Sequence, residues 1–225
     1  MSALELITTA DGSHSLLNTS LHETYHSVHG AVQESSHVFL QQGLMHFRLR
    51  HPDMPIRALE VGFGTGLNTI LAFRFARQEG IRLTYESWEK FPLDAALVAQ
   101  LNYGGLLHEK AAFDVIHAAP WDEIKILDTG FSLHKRHDDI TTGNLTSTFD
   151  VIFYDAFAPA KQPELWTIDV LRKVTQALNP GGIWVSYCAK GQVKRDLVSL
   201  GLKVETLPGP PGKKEMTRAV LEIKN

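Results

Sequence analysis

A single cysteine, Cys188, rules out an internal disulfide and suits a reducing compartment. Long apolar runs are missing as well: none approaches the roughly 20 residues that cross a bilayer. Met1 to Thr9 also lacks a basic segment leading into an apolar core, so no membrane association and a cytoplasmic location are expected. There is no excess of positive charge. A net charge of −3 gives no global attraction to nucleic acid, and any such role must rest on a local basic patch. The 11 histidines are scattered, with no zinc-type pairing to cysteine and no His-Glu-x-x-His core, which argues against a metal site. Repeats, low-complexity tracts and dividing linkers are absent too. What the 225 residues do contain, 44% hydrophobic and 21% charged, is enough for one sizeable core.

Apolar runs alternate with segments of helical spacing, the pattern of an α/β sheet with crossover helices. Strands are expected at Arg57 to Val61, Leu83 to Trp88, Phe131 to His137, Phe149 to Tyr154 and Ile183 to Tyr187. Phe113 to Ala118 looks like a further strand, but Pro120 just beyond it favours a helix end. Helices are expected over Leu67 to Gln78, stopped by Gly80, and from Pro163 onward, with Leu165, Ile168, Leu171, Thr175 and Leu178 as one face. Asn179-Pro180-Gly181-Gly182 stops the second of these. A short helix at Lys194 to Leu200 and a terminal hairpin, Leu202 to Leu207 with Arg218 to Ile223, complete the chain. Residues 1 to about 50 read as an extension, with a turn at Gly12 and a helix through Val32 to Leu44.

The most informative stretch is Leu59-Glu60-Val61-Gly62-Phe63-Gly64-Thr65-Gly66, where an acidic strand end meets three closely spaced glycines. Glycines let the chain turn tightly and let a ligand approach main chain that a Cβ would block. A dinucleotide loop would need a glycine where Leu67 stands, and no Gly-Lys-Ser/Thr follows to make a phosphate cradle. What remains is a Gly-x-Gly-x-Gly loop behind a carboxylate, the form used for S-adenosylmethionine. Ligands of open parallel sheets lie at the carboxyl ends of the strands. Glu89, 23 residues beyond Gly66, sits where a carboxylate can reach ribose hydroxyls. Asp138 or Asp139 follows the third strand, within reach of an adenine amine, and Asp155 ends the fourth.

Asp155-Ala156-Phe157-Ala158-Pro159-Ala160-Lys161-Gln162-Pro163-Glu164-Leu165-Trp166 resembles the MnmC-type tRNA methyltransferases, in their stand-alone, MnmD-like form. The resemblance extends over Tyr25-His26-Ser27 with Gly30 and Glu34, Gly62 to Asn68, and Glu89-Lys90-Phe91-Pro92. It continues through Ala189-Lys190-Gly191 and Pro208 to Met216. It implies a Rossmann-like class I methyltransferase fold over 51–225: a mostly parallel seven-stranded sheet with a C-terminal antiparallel hairpin, preceded by the small extension at 1–50. It also implies methyl transfer from S-adenosylmethionine to the exocyclic amine of 5-aminomethyl-2-thiouridine at the tRNA wobble position. Bifunctional members carry a flavin-dependent oxidase for which 225 residues leave no room, so separate upstream enzymes are expected to supply the aminomethyl group. Where members often have Gly-Asp, this chain has Asp138-Asp139, and adenine recognition is aligned to Asp139 with Asp138 as the alternative.

The expected cofactor contacts are thus Glu60, Gly62, Gly64, Thr65, Gly66, Glu89, Asp138 and Asp139. Asp155 is the catalytic candidate, because a carboxylate beside the attacking nitrogen orients it and stabilises developing positive charge. With an ordinary pKa of about 3.9 it would be a poor base. Tyr154 and Phe157 flank it, and either ring could stack on an extruded base. For the tRNA anticodon region, Lys161, Lys190, Lys213 and Lys214 are the expected contacts, with Lys194, Arg195 and Arg218 nearby in sequence. Cys188 reads as a small packing residue. A methyltransferase of small-molecule amines and a catalytically silent RNA-binding fold are the competing readings. The first needs no basic rim, and the second needs neither cofactor nor Asp155.

Overall fold

The computed structural model describes residues 4–223. Three short strands come first, Leu4–Thr8 (β1), His14–Asn18 (β2) and Glu23–Thr24 (β3), paired antiparallel in that order. Gly12, with φ 82°, turns the chain between β1 and β2. The side chains of that turn then cap the next element: Ser13 Oγ accepts from Ala31 N and Val32 N, and Asp11 Oδ2 accepts from Gln33 N at 3.0 Å. Donors left open at a helix start are satisfied in this way. The helix so begun covers residues 31–50, as Ala31–Ser35 (α1), a π-helical middle Ser36–Met45, and His46–Arg50 (α2). It is longer than the Val32 to Leu44 segment expected.

The main sheet alternates Ile56–Val61 (β4), Leu67–Glu79 (α3) and Leu83–Trp88 (β5). The short helices Ala95–Val98 (α4) and Tyr103–Leu106 (α5) follow, then Lys110–Ala118 (α6), Ile124–Asp128 (β6), Phe131–Arg136 (β7) and Phe149–Tyr154 (β8). A 3-10 turn at Pro163–Trp166 leads into Ile168–Gln176 (α7), Leu178–Ser186 (β9), Gly191–Ser199 (α8), Lys203–Pro208 (β10) and Glu215–Val220 (β11). The strand order is β10-β11-β9-β8-β4-β5-β7-β6. The five strands β4, β5, β7, β8 and β9 run parallel; at the two edges β6 runs against them, and so does β11, with β10 paired antiparallel to β11.

The fold class is the expected one, with an eighth strand, β6, added at the edge. Residues 124–126 are exposed along β6, so no apolar alternation marks it in the sequence. The stretch from Phe113 is helical as expected, with Phe113 and Ile116 buried one turn apart. The helix after Pro163 differs. Thr167 caps a new start, its Oγ1 accepting from Val170 N, and the buried face is Val170, Leu171, Val174 and Thr175. Leu178 has already entered β9, which begins before the glycine pair rather than after it.

Helix 31–50 lies on one face of the sheet. Phe39 packs on Phe153 of β8 with ring centroids 5.1 Å apart, and Gly43 lets the helix settle where a Cβ would stand 3.0 Å from the Phe153 ring. Leu16, Val38, Phe39, Leu44 and Phe47 thereby join the apolar cluster formed by α3, β4, β5 and β8. A second cluster, under α7 and α8, covers the opposite face. Phe153 also meets Tyr85 at 6.0 Å and is fully buried. Phe153→Ala is expected to cost about 3 to 5 kcal/mol, measured by denaturant unfolding, and to loosen the N-terminal helix together with the sheet.

Candidate functional site

After β4 the chain turns first toward β5 and later, with β8, to the other side, so the switch in strand order falls between β4 and β8. Their carboxyl ends open into a cleft of about 630 Å³, within the range that encloses a small-molecule ligand. Gly62 follows β4 with φ 95°, and a Cβ there would stand 2.9 Å from the Asp155 carbonyl oxygen. The bend and the close approach both require glycine. Gly64, at φ 49°, faces Tyr25, whose ring a Cβ would approach to 3.2 Å. Gly62, Gly64 and Thr65 line the cleft, as do Glu89, Asp138, Asp139 and Asp155.

Gly66 and Glu60 do not line it. Gly66, with φ 72°, caps α3, and a Cβ there would collide with Nε2 of His117 at 2.7 Å, so this glycine answers a packing need beneath the loop. Glu60 lies fully buried under the loop, where its Oε2 accepts from Ser87 Oγ at 2.6 Å and Thr69 Oγ1 at 3.1 Å. Burial pushes its carboxyl up to about 8 against the hydrogen bonds from Ser87, Asn68 and Thr69, and the Asp155 charge adds to the rise. It is therefore a protonated strut at neutral pH rather than a cleft-facing anion.

Glu89 holds the loop from the end of β5: Oε2 accepts from Gly64 N at 3.0 Å and Oε1 from Phe91 N at 2.8 Å. A carboxylate has about four acceptor positions, so hydroxyl donors can still be received. Asp139 is more committed. Its Oδ1 accepts from Thr141 N and Oγ1 at 2.8 and 2.7 Å, and its Oδ2 pairs with Lys90 Nζ at 2.8 Å. Those bonds hold its carboxyl below the usual range despite partial burial. Asp138 Oδ1 accepts only the Asp139 main-chain N–H, at 2.7 Å, which leaves Asp138 the less occupied of the two.

Asp155 is half-buried at the end of β8. Asn68, at the start of α3, donates Nδ2 to Asp155 Oδ2 at 2.8 Å. Burial and the nearby Glu34 charge push the Asp155 carboxyl up to about 7, against the bond from Asn68 and the charge of Lys213. Around it stand Phe157, Tyr25 edge-on to Phe157 at 4.9 Å, and Tyr187, whose hydroxyl donates to the Ala156 carbonyl at 2.8 Å. Tyr154 is not part of this wall. It is fully buried against Trp166 and Trp184, with its hydroxyl on the Leu165 carbonyl.

The basic residues divide. Lys161 reaches the cleft, but its Nζ donates to the carbonyls of Leu21 and His22 at 2.7 and 3.2 Å. Lys213 is paired with Glu34 at 2.5 Å. Lys194 bonds Glu215 and Thr206, and Arg218 is buried on Glu205 and Gln42. Among the described residues, Lys190 and Lys214 are exposed and carry no side-chain partner, and Arg195 is exposed with one bond to Gln192. None of these three lines the cleft.

Three residues escaped the sequence reading. Asn68 was visible only as part of a motif. His117 Nε2 donates to the Thr65 carbonyl at 3.1 Å, and Lys135, 1% exposed, donates to the His117 carbonyl at 2.9 Å while facing the rings of Phe63 and Trp121. Both lie far from the glycine loop in sequence, and no local pattern marks them. Cys188 is buried and its thiol is raised by burial, in keeping with packing. Among the described residues no group of three or more potential metal ligands converges, and no helix is long and apolar enough to cross a membrane.

A family model described as S-adenosyl-L-methionine-dependent methyltransferase matches residues 125–222. A Nitrosospira multiformis protein named tRNA 5-methylaminomethyl-2-thiouridine biosynthesis bifunctional protein MnmC is 29% identical over 217 residues, covering 92% of this chain and 35% of that protein. The Idiomarina loihiensis protein of the same name is 31% identical, with coverages of 89% and 36%. The chain thus spans about a third of the length of these curated relatives. Among solved structures, MnmC2 from Aquifex aeolicus superposes with a TM-score of 0.83 at 29% identity, over 100% of this chain and 72% of that one. Spermidine synthase from Thermotoga maritima, at TM-score 0.52 and 15% identity, shares the fold.

Two outcomes are expected. Gly64→Val meets both a left-handed backbone and the Tyr25 ring, and isothermal titration should show loss of S-adenosylmethionine binding in a folded protein. Glu60, raised in the folded state, stabilises most below its ordinary range near 4.5, and that contribution is lost as pH rises through about 8. Glu60→Gln should flatten the decline of melting temperature between pH 5 and 8.5.

Proposed function

We infer that this chain, an S-adenosylmethionine-dependent methyltransferase of class I fold similar to MnmC and MnmC2, methylates the exocyclic amine of 5-aminomethyl-2-thiouridine at the wobble position of tRNA. The observation that carries the reading is Asp155, held by Asn68 at the strand switch and walled by Phe157, Tyr25 and Tyr187. The relatives' shared name supplies the substrate class.

The cleft suits the cofactor. Gly62 and Gly64 offer main chain without Cβ obstruction, Thr65 lines the cleft beside them, and Glu89, also in the lining, is the proposed acceptor for the ribose hydroxyls. Asp138, with its less occupied carboxylate, is the better candidate for the adenine amine, in place of Asp139. When bound, S-adenosylmethionine supplies an electrophilic methyl group. The protein's share of the work is alignment, which can be worth roughly 7 to 11 kcal/mol of the barrier.

An amine arriving as ammonium must lose a proton before it is nucleophilic. With a carboxyl near 7 rather than in its ordinary range, Asp155 can take that proton and still release it to water near neutral pH. The same carboxylate then orients the amine through a hydrogen bond and stabilises positive charge developing on nitrogen. Phe157 and Tyr25 give aromatic surface against which an extruded base can stack. Lys190 and Lys214, neither with a side-chain partner among the described residues, are the proposed phosphate contacts for the anticodon stem-loop, with Arg195 as a third. Lys161 and Lys213 serve internal bonds instead.

Nucleoside mass spectrometry of tRNA carrying aminomethyluridine, incubated with the protein and S-adenosylmethionine, is expected to show the 5-methylaminomethyl product. Unchanged tRNA together with methylation of a free amine would refute the assignment. Asp155→Ala should lower kcat by roughly 10² to 10⁴ while leaving cofactor affinity within about twofold. Because the carboxylate is the active form, turnover should be lost as pH falls through about 7, and Asp155→Asn should abolish that limb.

A further inference from the structure

Glu34 is buried on the N-terminal helix, its side chain 6% exposed, and both of its oxygens are used. Oε2 accepts from Ser27 N at 2.7 Å, and Oε1 accepts from Lys213 Nζ at 2.5 Å across 179 residues of sequence. The same ammonium stands 3.7 Å from the centroid of the Tyr187 ring. Tyr187 in turn donates its hydroxyl to the carbonyl of Ala156, the residue after Asp155. A continuous chain of contacts therefore runs from the N-terminal helix, through the loop before β11, to the segment that carries the catalytic candidate. Such a buried pair is a poor way to display a charge to phosphate: pulling Lys213 away would leave Glu34 buried and unpaired.

We propose that Lys213 is a positioning residue of the methyl-acceptor site, which through Glu34 and Tyr187 holds the Asp155 segment in place and favours the ionised form of Asp155. The proposal rests on Asp155 being the residue that meets the acceptor amine, and it removes Lys213 from the tRNA-binding surface while leaving Lys214 there.

The charges facing Asp155 come from several elements. Glu34 on the N-terminal helix opposes its ionisation and Lys213 on the terminal loop supports it. Glu60 on β4 lies beneath it, protonated at neutral pH, and the phenols of Tyr85 and Tyr187 complete the surround. Near Lys213, His26 is depressed to about 4 by burial and carries no charge at neutral pH. The Cys188 thiol nearby is raised by burial and is likewise neutral. Glu34 and Lys213 are thus the two charges with opposite leverage on one carboxylate.

The test reads the Asp155 carboxyl itself, by carbon-detected NMR titration of the whole chain labelled at aspartate, with Asp155→Asn identifying the signal. Lys213→Met should raise the titration midpoint by about one pH unit, Glu34→Gln should lower it, and Lys213→Arg should restore it. A midpoint unmoved by Lys213→Met, or moved in the same direction by both Lys213→Met and Glu34→Gln, would overturn the proposal. If Lys213→Met does not fold, Glu34→Gln and Lys213→Arg decide alone. A second measurement uses tRNA binding against salt: Lys214→Ala should reduce the log–log slope by about one and Lys213→Arg should leave it unchanged. A reduced slope for a folded Lys213→Met would place Lys213 on phosphate and refute the inference. Because the NMR readout needs no substrate, shifted midpoints without methylation of aminomethyluridine tRNA would sink the substrate assignment and leave this inference standing.

Discussion

The approach of two strand ends, β4 and β8, governs the site. Asp155 N donates to the Val61 carbonyl at 3.0 Å, and the chain beyond Val61 can turn away only because Gly62 has no Cβ to strike the Asp155 carbonyl. That contact puts the glycine loop and the Asp155 carboxylate on opposite lips of one cleft. The loop is then fixed from both sides: Glu89 takes the Gly64 N–H from above, while His117 and Lys135 brace the Thr65 carbonyl and the Phe63 ring from below. Little of this bracing touches a ligand position. It spares the loop the ordering cost that a flexible cradle would bear on binding.

Charge burial is the second constraint. Glu60, Asp155 and Glu34 lie close enough to influence one another, and desolvation disfavours the ionised form of the first two. The molecule handles the three carboxylates differently. Glu60 is kept protonated by its burial although two hydroxyls donate to it, Glu34 is matched to an ammonium, and Asp155 is left at the balance point with one amide donor. A carboxyl near neutrality is what proton removal from an amine requires. An isolated aspartate would be too acidic for the task.

The N-terminal segment is tied to the chain beyond β8 by hydrogen bonds. Lys161 ties the segment after β8 to the carbonyls of Leu21 and His22, His37 meets the Pro208 carbonyl at 2.9 Å, and Arg218 reaches Gln42. Basic residues that a linear reading assigns to RNA are in large part consumed in these bonds. The cationic surface that remains around Lys190, Arg195 and Lys214 is correspondingly small, in keeping with a net charge of −3.

Buried strands were legible in the sequence. Phe149–Tyr154 is apolar but for Asp150, as suits a central parallel strand, and in Leu83–Trp88 the buried Leu83 and Tyr85 alternate with polar residues. The glycine loop and the aspartates at strand ends were legible for a related reason, since each is tied to a strand whose direction the βα alternation sets. The edge strand β6 was not, because its exposed residues carry no face preference, and neither was the start of α7 at Thr167. Local sequence therefore determined the sheet, its direction and which residues cluster at its carboxyl edge. Only the tertiary structure decided that Glu60 turns inward, that Gly66 serves His117, that Lys213 belongs to Glu34 and that Asp155 titrates near neutrality. Each of those depends on burial and on partners brought together from distant parts of the chain, and desolvation and Coulomb attraction act through space, where linear order leaves no trace.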